Sequence, residues 1–151
     1  MKVQRQIQLA SAPAGCLRVA FASSDGATVN DHFGWGLEFL LFDVSAQGFN
    51  KSGQITFVPE EQDEAEHSER NFVKAEALSQ CHIVYAAAIG GPVAAKLTQR
   101  KIQPLVVKDE NKIEILLKQF QAMLAKPPLW IQKLIGKDDP SRFDAYEEDE
   151  T

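Results

Sequence analysis

Residues 81–92 read Cys81-His82-Ile83-Val84-Tyr85-Ala86-Ala87-Ala88-Ile89-Gly90-Gly91-Pro92. An apolar run of this length, closed by two glycines and a proline, is the pattern of a buried strand that stops in a tight turn. Proline suits the first turn of a helix, so a helix is predicted from Pro92 to about Arg100. Ile102 to Val107 reads as the next strand. A strand, a helix and a strand in succession form a parallel pair with a right-handed crossover. The stretch therefore places the chain in the α/β class.

Upstream, Leu17-Arg18-Val19-Ala20-Phe21-Ala22 alternates in strand fashion and ends in the turn Ser23-Ser24-Asp25-Gly26. Glu38 to Val44 is a second strand. Gln47-Gly48 and Ser52-Gly53 bracket an expected turn region, and Gln54 to Val58 is a third strand stopped by Pro59. Short connections make these three an antiparallel meander. The acidic stretch from Glu60 to Glu69 opens a helix, with Phe72, Val73, Ala75 and Leu78 as its apolar face. Downstream, Ile113, Leu116, Leu117, Phe120 and Leu124 lie at helical spacing, and Pro127-Pro128 ends that helix. The expected architecture is a mixed sheet of about five strands, a three-strand meander followed by alternating helix and strand, with flanking helices. Residues 1–16 read as a flexible lead-in, 17–126 as the domain, and 127–151 as a Pro-Pro-Trp segment with an acidic, disordered tail. Within the last segment, Leu129, Trp130, Ile131, Leu134 and Ile135 fit a short amphipathic helix.

The chain has 151 residues, 44% apolar and 25% charged, with a net charge of -5. That balance speaks against nucleic acid as a partner, which calls for a basic surface. No apolar run approaches the roughly 20 residues needed to span a bilayer, and the N-terminus lacks the apolar core of a secretory signal. A cytoplasmic location is expected. Cys16 and Cys81 are too few for a disulfide scaffold or a four-thiolate cluster site.

The candidate chemistry lies in Ser23 to Gly36, SSDGATVNDHFGWG. Glycines let backbone approach a ligand closely, and His32 ligates transition metals at neutral pH. The blander alternative is a polar turn whose histidine bonds a nearby carbonyl. Gly90 and Gly91 precede a helix, where backbone N–H groups attract anions, although a tight turn explains them equally. Cys81 and His82 look like a metal pair, but adjacent strand residues point to opposite faces. Cys81 is thus a weak second metal candidate, and Cys16 a remote one. His67 reads as part of a solvated face. Hydrolase motifs are lacking, although Asp25, Asp31, Asp43 and Glu38, carboxylates near strand ends, could assemble a two-metal site.

Arg18 to Gly26, then Asp31-His32-Phe33-Gly34, then Ile89 to Leu97 resemble, in that order, the nitrogenase iron–molybdenum cofactor biosynthesis accessory family. That family includes NifX, NafY and the C-terminal domain of NifB. The likeness runs from about Leu17 to Ile135, and Lys126-Pro127-Pro128-Leu129-Trp130 resembles the ending of the NifX branch. The short lead-in, where NafY-type relatives carry an additional domain, also points to that branch. The resemblance implies a ribonuclease H-like fold and a non-enzymatic carrier. Its cargo would be the iron–molybdenum cofactor or its iron–sulfur precursor, bound transiently and passed between cofactor-assembly proteins. The family histidine falls on His32.

On this reading His32 ligates the cluster's metal. Ser24, Asp25, Gly26, Phe33, Gly34, Gly90 and Gly91 complete the contact, with Arg18 and Lys96 as countercharges. Two rivals remain at this stage. One is a docking or storage accessory working through Trp130 and the acidic tail. The other is a hydrolase built on the three aspartates.

Overall fold

The computed structural model describes residues 1–59 and 67–136. Six strands form one mixed sheet: β1 (Lys2–Ile7), β2 (Leu17–Ala22), β3 (Glu38–Ser45), β4 (Gly48–Val58), β5 (Ile83–Ala86) and β6 (Gln103–Val106). Four helices accompany them: α1 (His67–Ala77), α2 (Gly91–Gln99), α3 (Ile113–Leu124) and α4 (Leu129–Ile135). The spatial order is β1-β4-β3-β2-β5-β6. β1 to β4 pair antiparallel with their neighbours, while β5 joins β2 and β6 joins β5 in parallel. The meander and the parallel β5–α2–β6 unit are as the sequence predicts.

Two parts of the sheet differ from expectation. Residues 2–7, read as lead-in, form an edge strand on β4. Their polar, exposed side chains hide the strand from any pattern based on burial. Ser52-Gly53, read as a turn, lies inside the 11-residue β4. Gly53 is needed there for close approach, because a Cβ would stand 2.8 Å from Ile7 Cα. A register shift between Leu41 and Phe42 accommodates the extra length.

Period-two alternation sends the strand side chains to two cores. Ala20 and Ala22 of β2 pack with Phe39, Leu41, Ile55 and Phe57 beneath α1 and α2. Leu17, Val19 and Phe21 pack on the opposite face with Leu116, Leu117 and Phe120 of α3 and Ile131 of α4. The proposed α1 stripe needs correcting. Phe72 is 50% exposed and lies 4.9 Å from the Arg100 guanidinium. The buried positions are Asn71, Lys74, Ala75 and Leu78, spaced i, i+3, i+4, i+7. The expected helical start at 60–66, the His67 side chain and the tail beyond 136 lie outside the described residues.

Candidate functional site

The segment after β2 crosses the carboxyl ends of β2 and β5, where open α/β sheets place their ligand crevices. Backbone bonds fix it there. Asp31 N donates to Ala22 O (3.4 Å), Ala87 N to Asp31 O (2.9 Å) and Phe33 N to Ala88 O (2.9 Å). His32 pairs with Ala88 as an isolated parallel bridge. This short extended pairing turns neighbouring side chains opposite ways. Phe33 points into the core, fully buried, with its ring 5.5 Å from that of Phe39. His32 is exposed. Phe33 is therefore an anchor that orients His32, and its ring is not a ligand contact.

The turn beyond His32 is held from below by a buried lysine. Lys74 is 2% exposed, and its Nζ donates to the carbonyls of Phe33 (3.0 Å), Gly34 (3.0 Å) and Gly36 (2.7 Å). The ammonium also lies 5.9 Å from the Phe33 ring and 5.7 Å from the Phe57 ring. Burial, with Arg70 adding repulsion, pushes the Lys74 ammonium down to about 8, while Asp31 acts in the opposite direction. Gly36 N closes the turn on His32 O (2.8 Å). A Cβ at Gly36 would meet that same oxygen at 2.9 Å, so the position requires glycine.

A cleft of about 320 Å³ opens beside the histidine, lined by His32, Gly34, Trp35, Asn71, Gly90 and Lys96 among others. No carboxylate is among its described lining residues. The N-terminus of α2 borders it, with Gly90 as N-cap and no side chain capping the free N–H groups. Its polarity suits an anion. Asn71 is 4% exposed, and its Oδ1 has no hydrogen-bond partner among the described residues. An acceptor left so costs about 1–3 kcal/mol. Trp35, 75% exposed, separates this cleft from a second one of about 560 Å³, lined by Ser24, Asp31 and Glu38 among others.

His32, Gly34, Gly90 and Lys96 are thus brought together as expected; other candidates are not. Ser24 N already donates to Asn30 Oδ1 (2.9 Å) and Gly26 N to Ser23 Oγ (3.0 Å), so neither is offered to a ligand. Asp25 is a turn former. Its Oδ1 accepts from Ala27 N and Thr28 N (both 2.8 Å), and its Oδ2 from Thr28 Oγ1 (2.6 Å). These bonds hold its carboxyl well below the usual range, those from Thr28 most of all. Gly91 opens α2 but does not line the cleft. Cys81 is 1% exposed in the core beneath α1 and α2, and belongs to that packing, not to the cleft.

Arg18 is no countercharge either. It is fully buried, binds both carboxylate oxygens of Asp43 (2.8 and 3.0 Å) and donates to Leu9 O. His82 Nδ1 accepts from Arg18 N (2.8 Å), a structural role. Asp43 is committed to Arg18, so the three aspartates do not form one centre. Among the described residues no three His, Cys, Asp or Glu side chains are grouped to hold a metal ion. Sequence reading missed Lys74 and Asn71. Their signal was the i, i+3 spacing of two polar residues within the inward stripe of α1.

The comparisons follow the same geography. The family profile described as dinitrogenase iron–molybdenum cofactor matches residues 15–123. Protein NifX of Sinorhizobium fredii is 31% identical over 141 residues, covering 90% of this chain and 88% of its own. Protein NifX of Rhodobacter capsulatus is 33% identical, covering 89% and 87%. Protein NifY of Klebsiella pneumoniae is 30% identical across 78% of this chain but only 50% of its own length. The crystal structure of PH0822 shares the fold, with a TM-score of 0.52 at 21% identity over 70% of this chain and 88% of that one. The matched span takes in the His32 turn, the Lys74 helix and the start of α2, and by it the chain belongs to the dinitrogenase iron–molybdenum cofactor family.

Proposed function

We propose that the chain takes part in iron–molybdenum cofactor assembly as a carrier, binding the cofactor or its iron–sulfur precursor through His32 and releasing it to other assembly proteins. The observation that carries this reading is the exposed histidine in a cleft with no carboxylate among its described lining residues, on a turn fixed by Lys74. A sulfide-bearing anion suits that polarity. A single imidazole suits transfer, because one coordinate bond is more easily exchanged than four thiolates. Gly90 adds support, since a Cβ there would meet nothing closer than Pro92 Cδ at 4.0 Å, leaving open space for close approach. The chain acts without catalysis in this scheme, in the cytoplasm, with nitrogenase assembly proteins as partners. Among the described residues no helix is long and apolar enough to cross a membrane.

The fold reads as ribonuclease H-like. In support, β4-β3-β2 form the antiparallel half and β5-β6 extend it in parallel from β2. A docking role keeps one specific support, the exposure of Leu129 (63%) and Trp130 (39%) on α4. Anaerobic titration of isolated iron–molybdenum cofactor into wild type and His32→Ala separates the two. The carrier reading expects His32→Ala to lose at least tenfold in affinity, and equal binding removes His32 from it.

A further inference from the structure

Two independent features meet in the His32 cleft besides the histidine. The first is the N-terminus of the nine-residue α2, where Gly90 offers no side-chain cap and, Pro92 having no N–H, Gly90 and Val93 are the lining residues that carry one. The second is Asn71, contributed by α1, more than nine-tenths buried and with a side-chain oxygen that has no partner among the described residues. In a finished protein interior such a group finds a partner. Here the neighbouring wall offers a cleft instead. Rotating the terminal amide exchanges Oδ1 and Nδ2 without changing the side chain's shape, so Asn71 can present a donor.

We propose that Asn71 is a second direct contact to the cargo, donating its side-chain amide N–H to an anionic acceptor, a sulfide or an oxyanion, while His32 takes the metal. This rests on the carrier reading and adds to it a residue from a different element. Together α1, the His32 turn and α2 then hold the cargo from three sides. The polarity of the lining selects the donor role, because Lys96 and the α2 terminus already favour negative charge there.

The test compares wild type, Asn71→Leu and the isosteric Asn71→Asp by anaerobic titration with isolated iron–molybdenum cofactor and by thermal unfolding without it. Asn71→Leu removes a buried oxygen that has no partner among the described residues and puts an apolar group of similar size in its place, so its Tm should rise by roughly 2–4 °C. Its affinity should fall about tenfold, the worth of one charge-assisted hydrogen bond. Asn71→Asp should bind more weakly than Asn71→Leu, because it sets a carboxylate against the anion. Wild-type affinity in both variants overturns the contact and leaves His32 standing. Tighter binding by Asn71→Asp also overturns it, since a carboxylate improves on an amide only by ligating metal. Loss of stability in both variants marks a purely structural asparagine and overturns it too. If wild type itself does not bind, the carrier reading and the contact fall together.

Discussion

Two cations, Arg18 and Lys74, are buried among the described residues, and they are treated in opposite ways. Arg18 meets a carboxylate, Asp43, in a two-pronged bond, and a Leu9 carbonyl takes a third N–H. Burial works against its charge, yet Asp43 more than offsets that and raises its pKa. Lys74 donates instead to three main-chain carbonyls, and its pKa is driven down. The first arrangement ties β2 to β3, deep in the sheet. The second leaves a positive charge directly under the turn that displays His32. The difference separates a cation that completes the scaffold from one that shapes a site.

The comparison breaks most severely at Asp43. Asp43→Ala strands a buried guanidinium and should cost about 3–5 kcal/mol, read by denaturant unfolding. Lys74→Met should be milder in stability, about 1–3 kcal/mol for carbonyls left without donors. Its larger effect should be local, in the Trp35 fluorescence of a Trp130→Phe background. If Lys74→Met matches Asp43→Ala in global stability and leaves Trp35 unmoved, the two cations do not differ in kind.

Titration sharpens the contrast. The Lys74 pKa is about 8 folded against an ordinary 10.5. Between those values the unfolded chain holds the extra proton, so this group's contribution to stability rises with pH across that window. The neutral amine has only two donors for three carbonyls, so the turn should loosen above about pH 8 even as that contribution grows. Trp35 emission followed from pH 7 to 10 should shift near pH 8 in the same background, and Lys74→Met should abolish the shift. Smallest of all, Glu76→Ala removes the partly exposed Arg100 pair at 2.6 Å and should change stability by no more than about 1 kcal/mol.

The meander and the crossover were legible because they depend on local signals, period-two alternation in β2 and β3 and Gly-Gly-Pro at the start of α2, whereas the choice of His32 came from the family resemblance and not from its local pattern. What the sequence hid depends on distant partners. Gly53 reads as a turn until Ile7 is seen passing it. Lys74 draws no notice in the sequence, because the three carbonyls that converge on it lie some 40 residues earlier. Phe72 reads as core until Arg100 is found stacked on it outside. Ser24 and Gly26 read as free amides until Asn30 and Ser23 are found to accept them.

The edge strands carry a consequence for self-association. Without β1, the 11 residues of β4 would present a long unpaired margin. β1 closes it and shows solvent a shorter rim bearing Lys2 and Arg5, charges that discourage a second copy from adding a strand. At the far margin β6 is only four residues long and includes Pro104, which has no N–H to give. Both margins are thus blunted by chemistry unrelated to the cleft. Removing residues 1–8 should raise the tendency to associate through β4, read by light scattering against the full chain.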